Sequence, residues 1–153
     1  MAAISAIAAE PKYHGLQIKE QLGLIPINPD PESGLWEFAH LQTTAPGVDP
    51  IPKRDARKRL IITADTGLIF VLLPGETFRM GAQWIGPDNT FIPTDSPNYD
   101  EYAESNESPI LSVTLKPYFM SKYEITVAQW TRLTGSNPSV SLGSLQDMLK
   151  GVP

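Results

Sequence analysis

Apolar positions are densest between Gly67 and Gly81, so the chain is read outward from there. The run Leu68 to Leu73 has the length of a strand covered on both faces and is too short to span a membrane. Pro74-Gly75 then suits a tight turn: proline presets the first central φ, and glycine accepts the positive φ of a type II turn. After it, Phe78 and Met80 alternate with Thr77 and Arg79, the period-2 pattern of a half-buried strand. The pattern predicts a mid-chain hairpin that anchors the core.

Further along, Leu111, Val113 and Leu115 alternate with Ser112, Thr114 and Lys116, a half-buried strand ended by Pro117. Tyr118 to Tyr123 continues as an extended aromatic segment. Thr126 and Gln129 form a capping box, with Ile125 and Trp130 placed as a hydrophobic staple, so a helix starts at Thr126. Val127, Trp130 and Leu133 share its apolar face, and Gly135 stands where a left-handed C-cap belongs.

Towards the N-terminus, Leu35 to Leu41 reads as a short aromatic strand or helical turn, with Trp36 and Phe38 entering the core or its rim. Asn28 to Gly34 is a turn cluster. Leu60 to Thr63 is a strand leading into the hairpin. Met1 to Ile27 carries only a partial stripe of Leu16, Ile18, Leu22 and Leu24, and a short helix is placed over Leu142 to Leu149. These elements predict an α+β fold with much irregular structure.

Length and composition narrow the function classes. A chain of 153 residues fits one core, and its 15 prolines, about twice the usual ~5%, call for many turns. A net charge of −5 and a pI near 4.9 leave no electrostatic footprint for nucleic acid, which is excluded as a partner. With no cysteine, disulfides, thiolate catalysis and cysteine metal sites are all ruled out. No Lys or Arg precedes the small apolar run Ala2 to Ala9, which argues against a secretory signal, and no segment reaches membrane-spanning length. A cytoplasmic location is the default expectation.

Candidate chemistry is sparse. In the long polar loop Gln83 to Ser108, the side chains of Asp95, Asn98, Asp100, Glu101 and Glu104 are hard oxygen ligands of the kind that wraps calcium. Their spacing fits no EF-hand, and a solvated acidic loop is the favoured reading. Asn106-Glu107-Ser108 has the form of a glycosylation sequon, an accidental match next to Pro109. The basic run Lys53 to Arg59 reads as a solvated hairpin arm. His14 and His40, without a third histidine, do not make an iron site. For acid/base work the sequence offers only loop carboxylates such as Asp100 and Glu104, besides Glu124, which fits better as a charge before a helix N-terminus. The residues therefore name no catalytic, cofactor-binding or metal site and call for no cofactor.

Three separated motifs carry a family likeness. They are Phe70-Val-Leu-Leu-Pro-Gly-Glu-Thr-Phe-Arg-Met-Gly81, then Glu107-Ser-Pro109, then Val113 to Thr126 with Gln129-Trp130. Together, over roughly residues 66 to 140, they resemble the N-terminal part of the sulfatase-modifying-factor, or formylglycine-generating-enzyme, domain family. Leu22 to Pro26 and Leu35 to Gln42 also look like the lead-in to such domains in large bacterial chains with an upstream serine/threonine kinase module. The family often has glycine at Glu76 and histidine at Leu111. Glutamate at the first position suggests a type I or shifted turn.

The resemblance implies a C-type-lectin-like fold, with residues 1–59 as lead-in and 60–153 as the N-terminal portion of the domain. It also implies that the oxidising cysteine pair and the usual calcium sites belong to a C-terminal half beyond Pro153. On that reading the chain is inactive alone, and a peptide or protein substrate would be engaged through the complete domain. A second reading makes it a non-catalytic C-type-lectin-like module that binds a peptide or small ligand on a signalling protein. A third is a degenerate reading frame with a partly folded product.

Overall fold

The computed structural model describes residues 2–86, 88 and 90–137. The helix placed over Leu142 to Leu149 lies outside them. The fold is mixed α and β, with antiparallel sheets and few helices. It divides into two compact units: one is built from residues up to Leu73 and from Tyr118 onward, the other from Pro74 to Pro117.

The first unit holds a four-stranded antiparallel sheet of β1 (Leu24–Pro29), β2 (Trp36–His40), β3 (Ile69–Leu73) and β6 (Tyr118–Ser121), in the order β1-β2-β3-β6. Its two faces follow from register, because residues directly opposite each other on paired strands point the same way. Phe38 faces Phe70, and Leu72 faces Phe119, so these line the first face. Helix α1 (Ala2–Ala9) and the 3-10 turn Pro11–Tyr13 supply Ile7 and Tyr13, which close with Trp36, Phe38 and Leu72 into the main core. Tyr13 is buried yet satisfied: its hydroxyl donates to Leu72 O at 3.0 Å and accepts from Trp36 N at 2.8 Å. On the second face Ile27, Ala39, Leu60 and Ile69 form a smaller cluster.

Helix α2 (Val127–Thr134) belongs to this unit and starts and stops as its sequence dictates. Thr126 Oγ accepts from Gln129 N at 3.2 Å, Gln129 Oε1 accepts from Thr126 N at 2.9 Å, and Gly135 takes φ 73° at the C-cap.

The second unit pairs β4 (Thr77–Met80) with β5 (Leu111–Thr114), Thr77 facing Thr114 and Met80 facing Leu111. Most of the rest is loop, with isolated bridges such as Gln83 to Tyr99 and a 3-10 turn at Ser105–Glu107.

Three expectations need correction. Gly67 to Gly81 is not a hairpin, because β3 pairs with β2 and β6 while β4 pairs with β5. Neither Gly75 nor Glu76 takes a positive φ. Glycine is required at position 75 for a different reason: a Cβ there would lie 2.5 Å from Leu115 O. Second, Leu60 to Thr63 makes only a single bridge, Arg54 to Leu60, and leaves Ile61 and Ile62 exposed. Third, Phe78, Met80 and Leu111, expected on half-buried strand faces, are 43%, 49% and 51% exposed.

Candidate functional site

Two features of the first unit stand apart from ordinary packing: a helix docked by its polar side, and a fully buried carboxylate.

In α2 the buried residue is Gln129, whereas Val127, Trp130 and Leu133 are exposed, as is Ile125 just before the helix. Polar groups hold the docked side. Gln129 Nε2 donates to Thr66 O at 3.0 Å, and Arg132 donates through Nε to Thr43 O at 2.6 Å and through Nη2 to Ala64 O at 3.0 Å. These bonds satisfy loop carbonyls that would otherwise be stranded next to a packed helix. The result inverts the usual arrangement, in which the apolar stripe faces the core. The β4–β5 pair, taken by itself, repeats the theme: Phe78, Met80 and Leu111 share one face and are all exposed.

The buried carboxylate is Glu37, at 0% exposure in the middle of β2. Register places it opposite Val71, on the second face of the sheet. Arg54 Nη2 donates to Glu37 Oε2 and Lys122 Nζ to Glu37 Oε1, each at 2.5 Å. Asp30 Oδ1 lies 3.4 Å from Lys122 Nζ and 4.0 Å from Arg54 Nη1. Burial pushes the Asp30 carboxyl up, but two hydrogen bonds from Ser33 and the Lys122 ammonium outweigh it and hold the group below its usual range. Burial likewise opposes the Lys122 charge, and the hydrogen bond and charge of Glu37 overcome it, so its pKa is raised. Both carboxylate oxygens of Glu37 are engaged by cations and the group is fully buried, so it binds parts of the fold together rather than meeting a substrate. The quartet is therefore a tie between β2, β6 and the two loops that carry Asp30 and Arg54.

Over this quartet lies a cleft of about 240 Å3, whose lining includes Asp30, Glu32, Arg57, Lys58, Lys122 and Tyr123. A larger apolar groove of about 520 Å3, lined by Ala3, Ile4, Ile7, Ile18, Leu24 and Phe38 among others, runs beside α1.

The candidates drawn from sequence do not converge. Asn98 Nδ2 donates to Gly81 O and Arg79 O, Asp100 Oδ1 accepts from Tyr102 N, and Glu104 and Glu107 cap the turn at Ser105–Glu107, so these polar groups serve local backbone. Asn106 sits inside that turn. No group of three or more His, Asp or Glu placed to hold a metal ion occurs among the described residues. His14 is the left-handed cap of the first 3-10 turn, and His40 bonds Thr43 Oγ1 at 3.1 Å, with burial lowering its pKa. Glu124 is exposed two residues before the N-cap of α2, in line with its expected place. Among the described residues, no helix is long and apolar enough to cross a membrane.

Sequence reasoning missed the Glu37 quartet. Its only local signal was a glutamate in the otherwise apolar Trp36 to Ala39 run, and its partners lie 17 and 85 residues away. Comparison with protein-family models, curated proteins and solved structures finds no match.

Proposed function

We propose that this chain supplies the N-terminal portion of a sulfatase-modifying-factor-like domain of C-type-lectin-like fold, contributing scaffold rather than catalytic groups. The observation that carries the reading is the inverted helix α2. The motif Tyr123 to Thr126 leads into it, its polar side is docked, and Ile125, Val127, Trp130 and Leu133 are left for further polypeptide to cover. The pairing of Leu73 with Tyr118 and of Thr77 with Thr114 adds support, because it sets two segments of the likeness side by side. The absence of cysteine fits a scaffold role, since thiol-based oxidation would need groups from elsewhere.

The test is to read the gene beyond codon 153. The proposal expects an open frame that runs through a Val-Ser-Trp-like segment to later cysteines, and a genuine stop codon would overturn it. The 520 Å3 apolar groove beside α1 favours a second reading, a non-catalytic binding module for a peptide or small ligand. A stop codon, together with a cooperative thermal transition of residues 1–153, would select that reading.

A further inference from the structure

The loop between Arg54 and Leu60 is held as a rigid presenter of positive charge. Asp55 Oδ1 accepts from the backbone N–H of Arg57 at 2.8 Å and of Arg59 at 3.0 Å, while Asp55 Oδ2 takes Arg59 Nε and Nη2 at 3.1 and 2.9 Å. Lys58 adopts φ 63°, and its carbonyl accepts from Arg54 Nη1 at 2.9 Å, which ties the loop to the buried quartet. The charges can be followed one by one. Asp30 and Glu37 balance Arg54 and Lys122, and Asp55 balances Arg59. That leaves Arg57 and Lys58, side chains with no hydrogen-bond or ion-pair partner among the described residues, against Glu32 alone on the wall of the cleft. A net positive cleft in a chain of net charge −5 goes against the overall field.

We propose that this cleft binds a small tetrahedral oxyanion of the phosphate or sulfate type. Donors line it from two sides. Arg57 and Lys58, in the loop, and Lys122 and Tyr123, just past the end of β6, are among its lining residues, and the Lys122 ammonium has three N–H groups and two carboxylate neighbours. Oxygens pointing in several directions suit such a two-sided set better than the two of a carboxylate. A volume of 240 Å3 lies below the ~300–1,000 Å3 of sites for drug-sized ligands, and so suits a group of this size. Glu32 keeps the binding weak and gives the proposal a sign that can be tested.

The experiment is a two-dimensional amide NMR titration of the chain with inorganic phosphate, with sulfate and with a phosphoserine peptide, against sodium chloride of matched ionic strength. The expected result is saturable shifts confined to residues 57–59 and 122–123. In Arg57→Gln/Lys58→Asn, where asparagine tolerates the left-handed backbone at position 58, binding should weaken about tenfold or more. Glu32→Gln should tighten it. Stronger binding of the phosphopeptide than of inorganic phosphate would assign the group to a modified protein, and equal binding would assign it to a free anion. Shifts no different from those in chloride, or unaltered by the double variant in a chain with an otherwise unchanged spectrum, would overturn the proposal.

Discussion

Phe38 in β2 and Phe78 in β4 are the same residue type, each in a short antiparallel strand, yet one is 5% exposed and the other 43%. The difference lies in what covers them. Phe38 has α1 and the Pro11–Tyr13 turn over its face of the sheet, and it stacks edge-on against Phe119 at 5.1 Å. In the Pro74–Pro117 unit Phe78 stays open to solvent, and among the described residues of that unit the only buried apolar one is Ala103. Alternation makes a strand, whereas burial needs a second layer.

The comparison breaks if matched substitutions cost the same. Phe38→Ala should lower unfolding free energy by about 3–5 kcal/mol, while Phe78→Ala should cost under about 1 kcal/mol, both read from urea titrations. Next in size, Glu37→Ala should cost about 3 kcal/mol or somewhat more, because it leaves Arg54 and Lys122 facing each other beside apolar surface. The partly exposed ends of those two cations keep the figure near the low end. Within α2 the ordering reverses normal expectation. Gln129→Ala should cost about 1–3 kcal/mol by stranding Thr126 N and leaving Thr66 O only its 3.4 Å bond from Arg132 Nη2, more than Trp130→Ala at under about 1 kcal/mol. A larger loss for Trp130→Ala would mean that the helix docks by its apolar side.

The smallest expected effect is on pH dependence. His40 has its folded pKa lowered by burial, so its neutral form is favoured in the fold. Its contribution is full above the unfolded value near 6.5 and is lost as pH falls through the folded value. Asp30, also lowered, adds a loss at more acidic pH, below 3.8. Lys122 is raised, so its contribution holds below 10.5 and fades as pH climbs through the folded value. Stability should form a plateau with these two flanks. His40→Gln should remove the shallow step below pH 6.5 without moving the others, as thermal melts across pH would show.

Local features were legible in the sequence. The capping box of Thr126 and Gln129 and the Gly135 cap depend on neighbours a few residues apart. Long-range features were not. Pro74-Gly75 carries strong turn chemistry, yet β4 finds its partner some thirty residues on, at β5. β1 is obscured by Pro26 and Pro29, which an edge strand tolerates because one side needs no N–H donor. The amphipathic pattern of α2 showed that an apolar face exists but not which side the fold would cover, and that choice was settled by Gln129 and Arg132 reaching loop carbonyls more than 60 residues away. The charged quartet was hidden for the same reason.

The most direct test of the inverted helix compares two tryptophans in one sample. With 5-fluorotryptophan incorporated and each resonance assigned by single substitution, Trp36 and Trp130 can be compared by 19F NMR for their response to D2O exchange and to a soluble paramagnetic agent. The account predicts that Trp130 shifts and broadens like an exposed indole while Trp36, 8% exposed, does not. Equal shielding of the two in residues 1–153 would show the apolar face of α2 already covered and would contradict the scaffold reading.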